Sequence, residues 1–317
     1  MLLKKVCKFF KDKNKLGEIK GIKDITTFFK KLSEGIANNE PAPLIIAEYL
    51  HNNIASEKVR KRKSSAREFE DFLDIFMDGS VTDENTRKNI SLPTSIKGAI
   101  ASYLSSNRRE KADIKFPSGY LITLKTSVPS NKEINMGSFA REALFQGYLS
   151  PKEYGGERKG GLGSKPQMEK IFQKIYNRGL WESFAFRFKL MVENIYVEDM
   201  IFAIKGGDYL KIYCIQGESI RKNLIGAVCK GPKTAITVIN RYEGNSLRIE
   251  RDKIINTGEK ITLDFSGLEK TIVRKVLKDI EEIKTEVICS LIEGKSEGLQ
   301  EFIQEKSRKL LNDMKAP

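Results

Sequence analysis

The residues whose types and spacing could do chemistry lie in one short segment, EKADIKFPSGYLITLKTS, at positions 110–127. Positions 117–119 read Pro-Ser-Gly, which is typical of a tight turn, and polar and apolar residues alternate on both sides of it. If this turn joins two antiparallel strands, counting outward places Asp113 directly opposite Thr123. The segment is therefore predicted to form a β-hairpin with a defined register.

The two faces of this hairpin differ in composition. Asp113, Thr123 and Lys125 share one face, and directly opposed Cβ atoms lie about 5 Å apart while diagonal neighbours lie about 7 Å apart. Asp113 and Lys125 can therefore reach the same phosphate-sized group. The other face is apolar and is predicted to enter the core through Ala112, Ile114, Phe116, Tyr120, Ile122 and Leu124.

A carboxylate beside a lysine suits phosphodiester hydrolysis. Mg²⁺ is a hard cation that binds carboxylate oxygens, polarises a phosphate and lowers the pKa of a bound water. A lysine can orient the attacking water or stabilise the charge that develops in the transition state. This chemistry needs no histidine, which agrees with a chain whose single histidine is His51.

The charge of the chain favours a polyanionic partner. There are 56 Lys and Arg residues against 42 Asp and Glu residues, and the net charge is +14. Such an excess attracts nucleic acids. The glycine-rich segment at 150–166 is either a flexible surface connection or a DNA-contacting loop. The side chains predicted to contact DNA phosphates are Lys58, Arg60, Lys61, Arg62, Lys63, Arg158, Lys159 and Lys165.

Several classes of site and location are disfavoured by the sequence. The four cysteines are far apart and form no C-x-x-C pair, which argues against a zinc module and fits reduced thiols. The basic start lacks an apolar stretch of signal-peptide length, and no segment approaches the ~20 apolar residues of a membrane helix. We therefore expect a cytoplasmic protein without a membrane partner.

Hydrophobic periodicity predicts the order of the elements. The predicted helices lie at 24–36, 41–50, 64–79, 93–106, 137–149 and 167–195, and strands dominate from 197 until a long C-terminal helix begins near 268. Three regions follow: a basic helical N-terminal region at 1–63, a core at 64–205, and a strand-rich part at 206–317 that ends in the long helix. The last part could be continuous with the core.

Asp113, the nine residues after it and Thr123-Leu124-Lys125 resemble the PD-(D/E)XK nuclease superfamily. The core of that superfamily is a helix, a bent strand pair that carries Asp and Glu-x-Lys, and a following helix. The resemblance covers roughly residues 64–205. It implies an α/β fold with a restriction-endonuclease-like core, in which a mixed central sheet is flanked by helices. It also implies that Asp113 binds Mg²⁺ and that Lys125 is catalytic.

The chain departs from the superfamily pattern at two positions. Ala112 stands where proline is frequent, and Thr123 stands where an acidic metal ligand is usual. A neutral hydroxyl is a poor Mg²⁺ ligand, so a further carboxylate is needed. Some members supply it from the next helix, which makes Glu142 the leading candidate. Glu133 is the second candidate, and Glu70 from the preceding helix is the third.

With the basic charge and the lack of a helicase or ATPase motif, the resemblance is closest to a type II restriction endonuclease. It implies Mg²⁺-dependent cleavage of a short double-stranded DNA sequence, a homodimer, and a cognate DNA methyltransferase as genetic partner. Two alternatives stay open. The chain could be a repair or structure-specific nuclease, or a basic nucleic-acid-binding protein without catalysis in which Asp113 and Lys125 form a surface ion pair.

Overall fold

A computed structural model describes most of the chain. The described residues are 2–62, 64–82, 112–138, 141–155, 162–195, 198–244, 246–268, 305 and 308. The predicted helix at 93–106 lies outside them, as does the predicted C-terminal helix beyond Leu268 except for residues 305 and 308. Among the described helices, none is both long enough and apolar enough to cross a membrane.

The N-terminal part is helical, as the periodicity predicts. Asp24 caps the second helix by accepting hydrogen bonds from the backbone N–H groups of Lys20 and Gly21. A proline occupies the first position of the third helix, where its missing N–H costs no hydrogen bond. The helices are α1 (Leu2–Lys13), α2 (Ile22–Ala37), α3 (Pro41–Leu50), which continues into a π-helical turn (His51–Ala55), and α4 (Ser64–Met77).

The described strands are β1 (Ser80–Val81), β2 (Ile114–Lys115), β3 (Leu121–Ser127), β4 (Glu133–Ser138), β5 (Asp199–Lys205), β6 (Tyr209–Ile215), β7 (Ile239–Glu243), β8 (Ser246–Glu250) and β9 (Glu259–Asp264). Six of them form a mixed sheet in the order β1-β2-β3-β5-β6-β9. Strands β3 and β5 pair in parallel, and the other neighbours in this sheet are antiparallel. The remaining three strands form a smaller sheet in the order β4-β8-β7.

The later helices correct several predictions. Within the predicted helix at 137–149, the described helical residues are Arg141–Phe145, because β4 extends to Ser138. The segment from 197 onward also contains a helix that was not predicted, whose buried residues Ile220, Leu224 and Val228 recur at a helical spacing. The helices are α5 (Arg141–Phe145), α6 (Pro151–Gly155), α7 (Lys165–Asn177), α8 (Trp181–Ile195), α9 (Gly217–Cys229), α10 (Pro232–Ala235) and α11 (Arg251–Ile255).

The six-stranded sheet buries a hydrophobic core on each face. Alternate residues of β5 point in opposite directions, so Ile201 and Ala203 join one core while Met200 and Phe202 join the other. The first core contains α1 to α4 and extends to Leu268, so residues from all three predicted regions share it. The second contains α7 to α9 and the smaller sheet. The predicted mixed sheet flanked by helices is thereby confirmed, whereas the region boundaries stay a prediction.

The hairpin has the predicted register. Ile114 pairs with Ile122, and the N–H of Phe116 donates to the carbonyl oxygen of Tyr120 at 2.9 Å. Gly119 closes the turn with φ of 85°, a conformation that glycine adopts without strain. The predicted apolar face is buried, except that Tyr120 is only partly so.

Replacing Phe72 with alanine should lower the free energy of unfolding by about 3–5 kcal/mol. Phe72 is 0% exposed, and its ring packs against Phe76 at 4.5 Å and Phe69 at 5.9 Å between centroids. The matched control is Phe186→Ala, because Phe186 is also helical but is 62% exposed. Its effect should stay within about 0.5 kcal/mol. Urea unfolding of both variants measures the difference, and equal losses would contradict this packing.

Candidate active site

Backbone hydrogen bonds join Asp113 to β3 on one side and to the residue after β1 on the other. Asp113 immediately precedes the two-residue strand β2, and its N–H donates to the carbonyl oxygen of Ile122 at 2.9 Å. The carbonyl oxygen of Asp113 accepts from the N–H of Thr82, just after β1, at 3.0 Å. These backbone bonds hold Asp113 against β3 although it lies outside a regular strand.

The carboxylate of Asp113 is fixed by a backbone donor. The N–H of Leu124 donates to Oδ2 at 2.7 Å, and Nζ of Lys125 lies 3.9 Å from the same oxygen. The first contact is a strong hydrogen bond, whereas the second is a charge contact that is too long to be one. Asp113 is 22% exposed and Lys125 is 34% exposed, so solvent reaches both side chains. The predicted meeting of these two residues is confirmed.

Glu70 on α4 is the predicted carboxylate that interacts electrostatically with this pair. Burial raises the pKa of Glu70, and the negative charge of Asp113 raises it further. Arg67 lowers it, Asp71 raises it, and Lys125 lowers it, with a net upward shift. A bound cation would oppose this upward shift, because it favours the charged form of a carboxylate.

One ion pair within α4 and one hydrogen bond from α4 to the sheet lie near this site. Arg67 Nη1 lies 3.4 Å from Glu70 Oε2, across one turn of the helix. Beneath the first turn of α4, Lys205 on β5 donates from Nζ to Ser65 Oγ at 2.5 Å. Burial lowers the pKa of Lys205. The start of α4, the helix that carries Glu70, is thus tied to β5.

The hairpin is also anchored at its other end. The hydroxyl of Tyr120 donates to Asp199 Oδ2 at 2.5 Å, while Asp199 Oδ1 accepts from the N–H of Gly217 at 2.8 Å. At the turn, the hydroxyl of Ser118 donates to the carbonyl oxygen of Ile19 at 2.6 Å. Burial and the bond to Asp199 raise the pKa of Tyr120. These contacts make the hairpin a rigid support for Asp113 and Lys125.

Glu133 has a different partner. It lies on β4 in the smaller sheet, where Arg241 Nε is 3.1 Å from Oε1 and Arg241 Nη2 is 2.8 Å from Oε2. Nδ2 of Asn240 lies 3.4 Å from Oε1. A bidentate arginine pair satisfies both carboxylate oxygens. The carboxylate of Glu133 is therefore engaged by Arg241 and is poorly placed to bind a metal.

Glu142 lies at the exposed start of α5, a helix that packs against α6 and α8. Nothing in these contacts joins it to Asp113, and its role as a ligand stays a prediction.

Among the predicted DNA contacts, Lys58, Lys61, Arg62 and Lys165 are exposed, and Arg60 pairs with Glu57 at 2.7 Å. Lys63, Arg158 and Lys159 lie outside the described residues.

Few side chains of the metal-ligating types lie near one another in the described residues. Within the described part of the chain, no group of three or more His, Cys, Asp and Glu side chains is arranged to hold a metal. Glu70 and Asp113 supply two carboxylates, and Mg²⁺ commonly keeps several waters with one or two protein carboxylates. Arg67 and Asp71 were not predicted to lie at the site. Arg67 is three residues from Glu70 and four from Asp71 on α4, and these spacings bring helix side chains together, so the sequence could have indicated the group.

Cation binding at this site should weaken as the pH falls. Glu70 must lose its proton before its carboxylate binds a cation, and its pKa is raised by burial, Asp113 and Asp71 against the opposing effect of Arg67 and Lys125. The protonated form therefore persists to a higher pH than in an ordinary glutamate. Titration with Mn²⁺ from about pH 8 down to about pH 5 should show the affinity falling through this raised pKa.

The control for this pH dependence is Glu70→Gln, which removes the titrating group but keeps the shape of the side chain. This variant should bind Mn²⁺ more weakly at high pH and should lose the step that belongs to Glu70. An unchanged pH profile in Glu70→Gln would assign the step to another group.

The candidate site thus joins Glu70 from α4, Asp113 from the start of the hairpin and Lys125 from β3. The N–H of Leu124 on β3 holds the carboxylate of Asp113, and a bond between Lys205 and Ser65 ties helix α4, which carries Glu70, to β5. Comparisons with protein-family models, with curated proteins and with solved structures found no match for this chain.

Proposed function

We propose that this protein is a Mg²⁺-dependent nuclease that hydrolyses phosphodiester bonds in double-stranded DNA, as a type II restriction endonuclease does. The observation that carries the proposal is the contact of Asp113 with Lys125, together with the electrostatic interaction of Glu70 with both, since burial and then the charge of Asp113 raise the pKa of Glu70. A basic chain of net charge +14 supplies the attraction to a polyanionic substrate.

Two of these side chains would bind the metal, and the third would act on the water or the phosphate. Asp113 and Glu70 would hold Mg²⁺, which when bound withdraws charge from the phosphate and acidifies a water. The bond from Leu124 N–H fixes Asp113, so this carboxylate keeps its place while substrate binds. Lys125 would donate to the attacking water or to a phosphate oxygen. Its 3.9 Å separation from Asp113 leaves Nζ able to turn toward substrate.

The fold supports a restriction-endonuclease-like core as the scaffold. Helix α4 precedes the hairpin, helices α5 to α8 follow it, and the chain then returns as β5 parallel to β3. This order of helix, strand pair and helix is the one that the superfamily resemblance implies. The exposed residues Lys58, Lys61 and Arg62 come shortly before α4, where they could contact phosphates flanking the cleaved bond.

Other parts of the proposal follow from the type of enzyme. Cutting both strands of a symmetric DNA sequence is most simply done by a two-fold homodimer, which supplies two active sites. A cognate DNA methyltransferase would protect the host sequence, and the cytoplasm is the compartment in which both would act.

The competing proposal is a basic protein that binds nucleic acid without cutting it. It is favoured by the finding that, among the described residues, no group of three or more His, Cys, Asp and Glu side chains is arranged to hold a metal.

Asp113→Asn and Lys125→Ala should each reduce cleavage of plasmid DNA by at least about 100-fold, because each removes charge that acts on the reacting phosphate. Plasmid incubated with the protein and Mg²⁺ should give discrete fragments that EDTA prevents. Lys222→Ala is the matched control, since this lysine is 75% exposed and pairs with Glu218 on α9. A shifted but uncut plasmid with the wild-type protein would instead support binding without catalysis.

Replacing the three candidate carboxylates singly identifies the second metal ligand. Glu70→Gln should reduce cleavage by at least about 100-fold. Glu133→Gln should leave cleavage nearly unchanged but should lower the stability by about 1–3 kcal/mol, because Arg241 loses a charged partner. Glu142→Gln should cut normally. Plasmid cleavage and urea unfolding distinguish these outcomes, and an inactive Glu142→Gln with an active Glu70→Gln would move the metal to Glu142.

A further inference from the structure

We propose that residues 56–62, which we call the basic turn, form a preformed binding surface for the phosphate backbone of duplex DNA, and that Lys205 on β5 holds this surface in place. The inference rests on the proposed function for the identity of the ligand. It extends that proposal because it explains how the cations before α4 are positioned. It needs neither a metal nor the carboxylates of the candidate active site.

The basic turn is a charged segment with a hydrogen-bonded backbone. It contains four cationic residues and one carboxylate. The N–H of Arg60 donates to the carbonyl oxygen of Ser56 at 2.9 Å, and the N–H of Arg62 donates to that of Val59 at 2.8 Å. The exposed cations are Lys58, Lys61 and Arg62. Because these bonds order the backbone before a ligand arrives, less conformational entropy is lost on binding.

A buried lysine holds the end of the basic turn. Lys205 is 4% exposed and Ser65 is 1% exposed. Nζ of Lys205 donates to Ser65 Oγ at 2.5 Å, and this hydroxyl donates in turn to the carbonyl oxygen of Arg62 at 2.7 Å. Burial lowers the pKa of Lys205, and no charged side chain among the described residues contributes to the shift. A lysine is seldom buried without a charged partner, since desolvating its ammonium group is costly.

The start of the basic turn is bonded to the same part of the sheet. The N–H of Gly207, which lies between β5 and β6, donates to the carbonyl oxygen of Ala55 at 3.0 Å. Gly207 has φ of 92°, and a Cβ atom at this position would lie 2.9 Å from Glu57 Oε1. The backbone after β5 thus lies close beside the basic turn. Both ends of the turn are therefore fixed to the end of β5 and the residues that follow it.

The anchor of the basic turn lies on the strand that pairs with Lys125. Phe202 is the β5 partner of Lys125, and Lys205 is three residues further along β5. Three residues correspond to about 10 Å along a strand. Each strand of duplex DNA carries one phosphate per about 3.4 Å of helix axis, so about 10 Å spans about three phosphates. The basic turn and Lys125 are close enough for one short duplex to contact both.

The test measures the binding of a short DNA duplex by fluorescence anisotropy in EDTA, over about 50–300 mM NaCl. The slope of log K against log salt is about 0.9 per phosphate contact. The first variant combines Lys58→Ala, Lys61→Ala and Arg62→Ala. It should lower the magnitude of the slope by about 2–3 and weaken binding at least about tenfold at low salt.

The matched control removes the same charge from three exposed helical lysines that each pair with a carboxylate. It combines Lys31→Ala, Lys189→Ala and Lys222→Ala. Its slope should change by less than about 1, because these lysines lie outside the basic turn. Equal changes of slope in the two combined variants would overturn the inference.

The role of Lys205 has a separate signature. Lys205→Met keeps the length of the side chain but removes the hydrogen bond to Ser65. It should weaken duplex binding about three- to tenfold at every salt concentration with the slope unchanged, because a freed turn must be ordered on binding. In the variant that lacks the three exposed cations, Lys205→Met should cause no further weakening. Such coupling would not arise from a general loss of stability.

A second variant removes the same bond from the other side. Ser65→Ala should reproduce both results, and it provides the test if Lys205→Met does not fold. Weakening of the same size with and without the three exposed cations would overturn the positioning role of Lys205.

The outcome is distinguishable from that of the proposed function. If the wild-type protein cuts plasmid but loss of the three cations leaves the slope unchanged, the nuclease proposal stands and the basic turn falls. If the protein never cuts DNA but the slope falls, the basic turn stands without catalysis. Vesicles of phosphatidylcholine and phosphatidylserine offer another polyanion. Binding to these vesicles that depends on the basic turn, without binding to the duplex, would also overturn the inference.

Discussion

The parallel pairing of β3 with β5 joins the hairpin to the rest of the sheet, and both hydrophobic cores are built on the two faces that this pairing creates. A parallel pair needs a long crossover connection, and here the crossover contains α5 to α8. Those helices cover one face, while α1 to α4 cover the other. The position of every candidate site residue therefore depends on β3 lying next to β5.

The site lies beside the short strand β2. Strand β2 has only two residues, and no strand among the described residues pairs with Leu124 on that side of β3, where the carboxylate of Asp113 accepts from its N–H. The N–H of Leu124, which would otherwise bond to a neighbouring strand, thus orients the carboxylate of Asp113. Helix α4, which carries Glu70, is held on the sheet by the buried contact between Lys205 and Ser65.

The local part of this arrangement could be predicted from the sequence, and the long-range part could not. Alternation and the Pro-Ser-Gly turn determine the hairpin register, because both signals lie within one short segment. Glu70 ranked last among the carboxylates, since its approach to Asp113 depends on how α4 packs on the sheet. Glu133 ranked higher, but its partner Arg241 is 108 positions away. Helix α9 was missed because its moderate apolar pattern lies between strongly apolar strands.

The contact between Tyr120 and Asp199 has a consequence for the order of folding. These residues are 79 positions apart, whereas Asp113 and Leu124 are 11 positions apart. Hairpins form within microseconds, but contacts that close long loops must first overcome a larger entropic cost. The acid and the lysine of the site can therefore meet early in folding. The tyrosine hydroxyl reaches its aspartate only after the crossover helices have collapsed, so this bond would report the last stage of assembly.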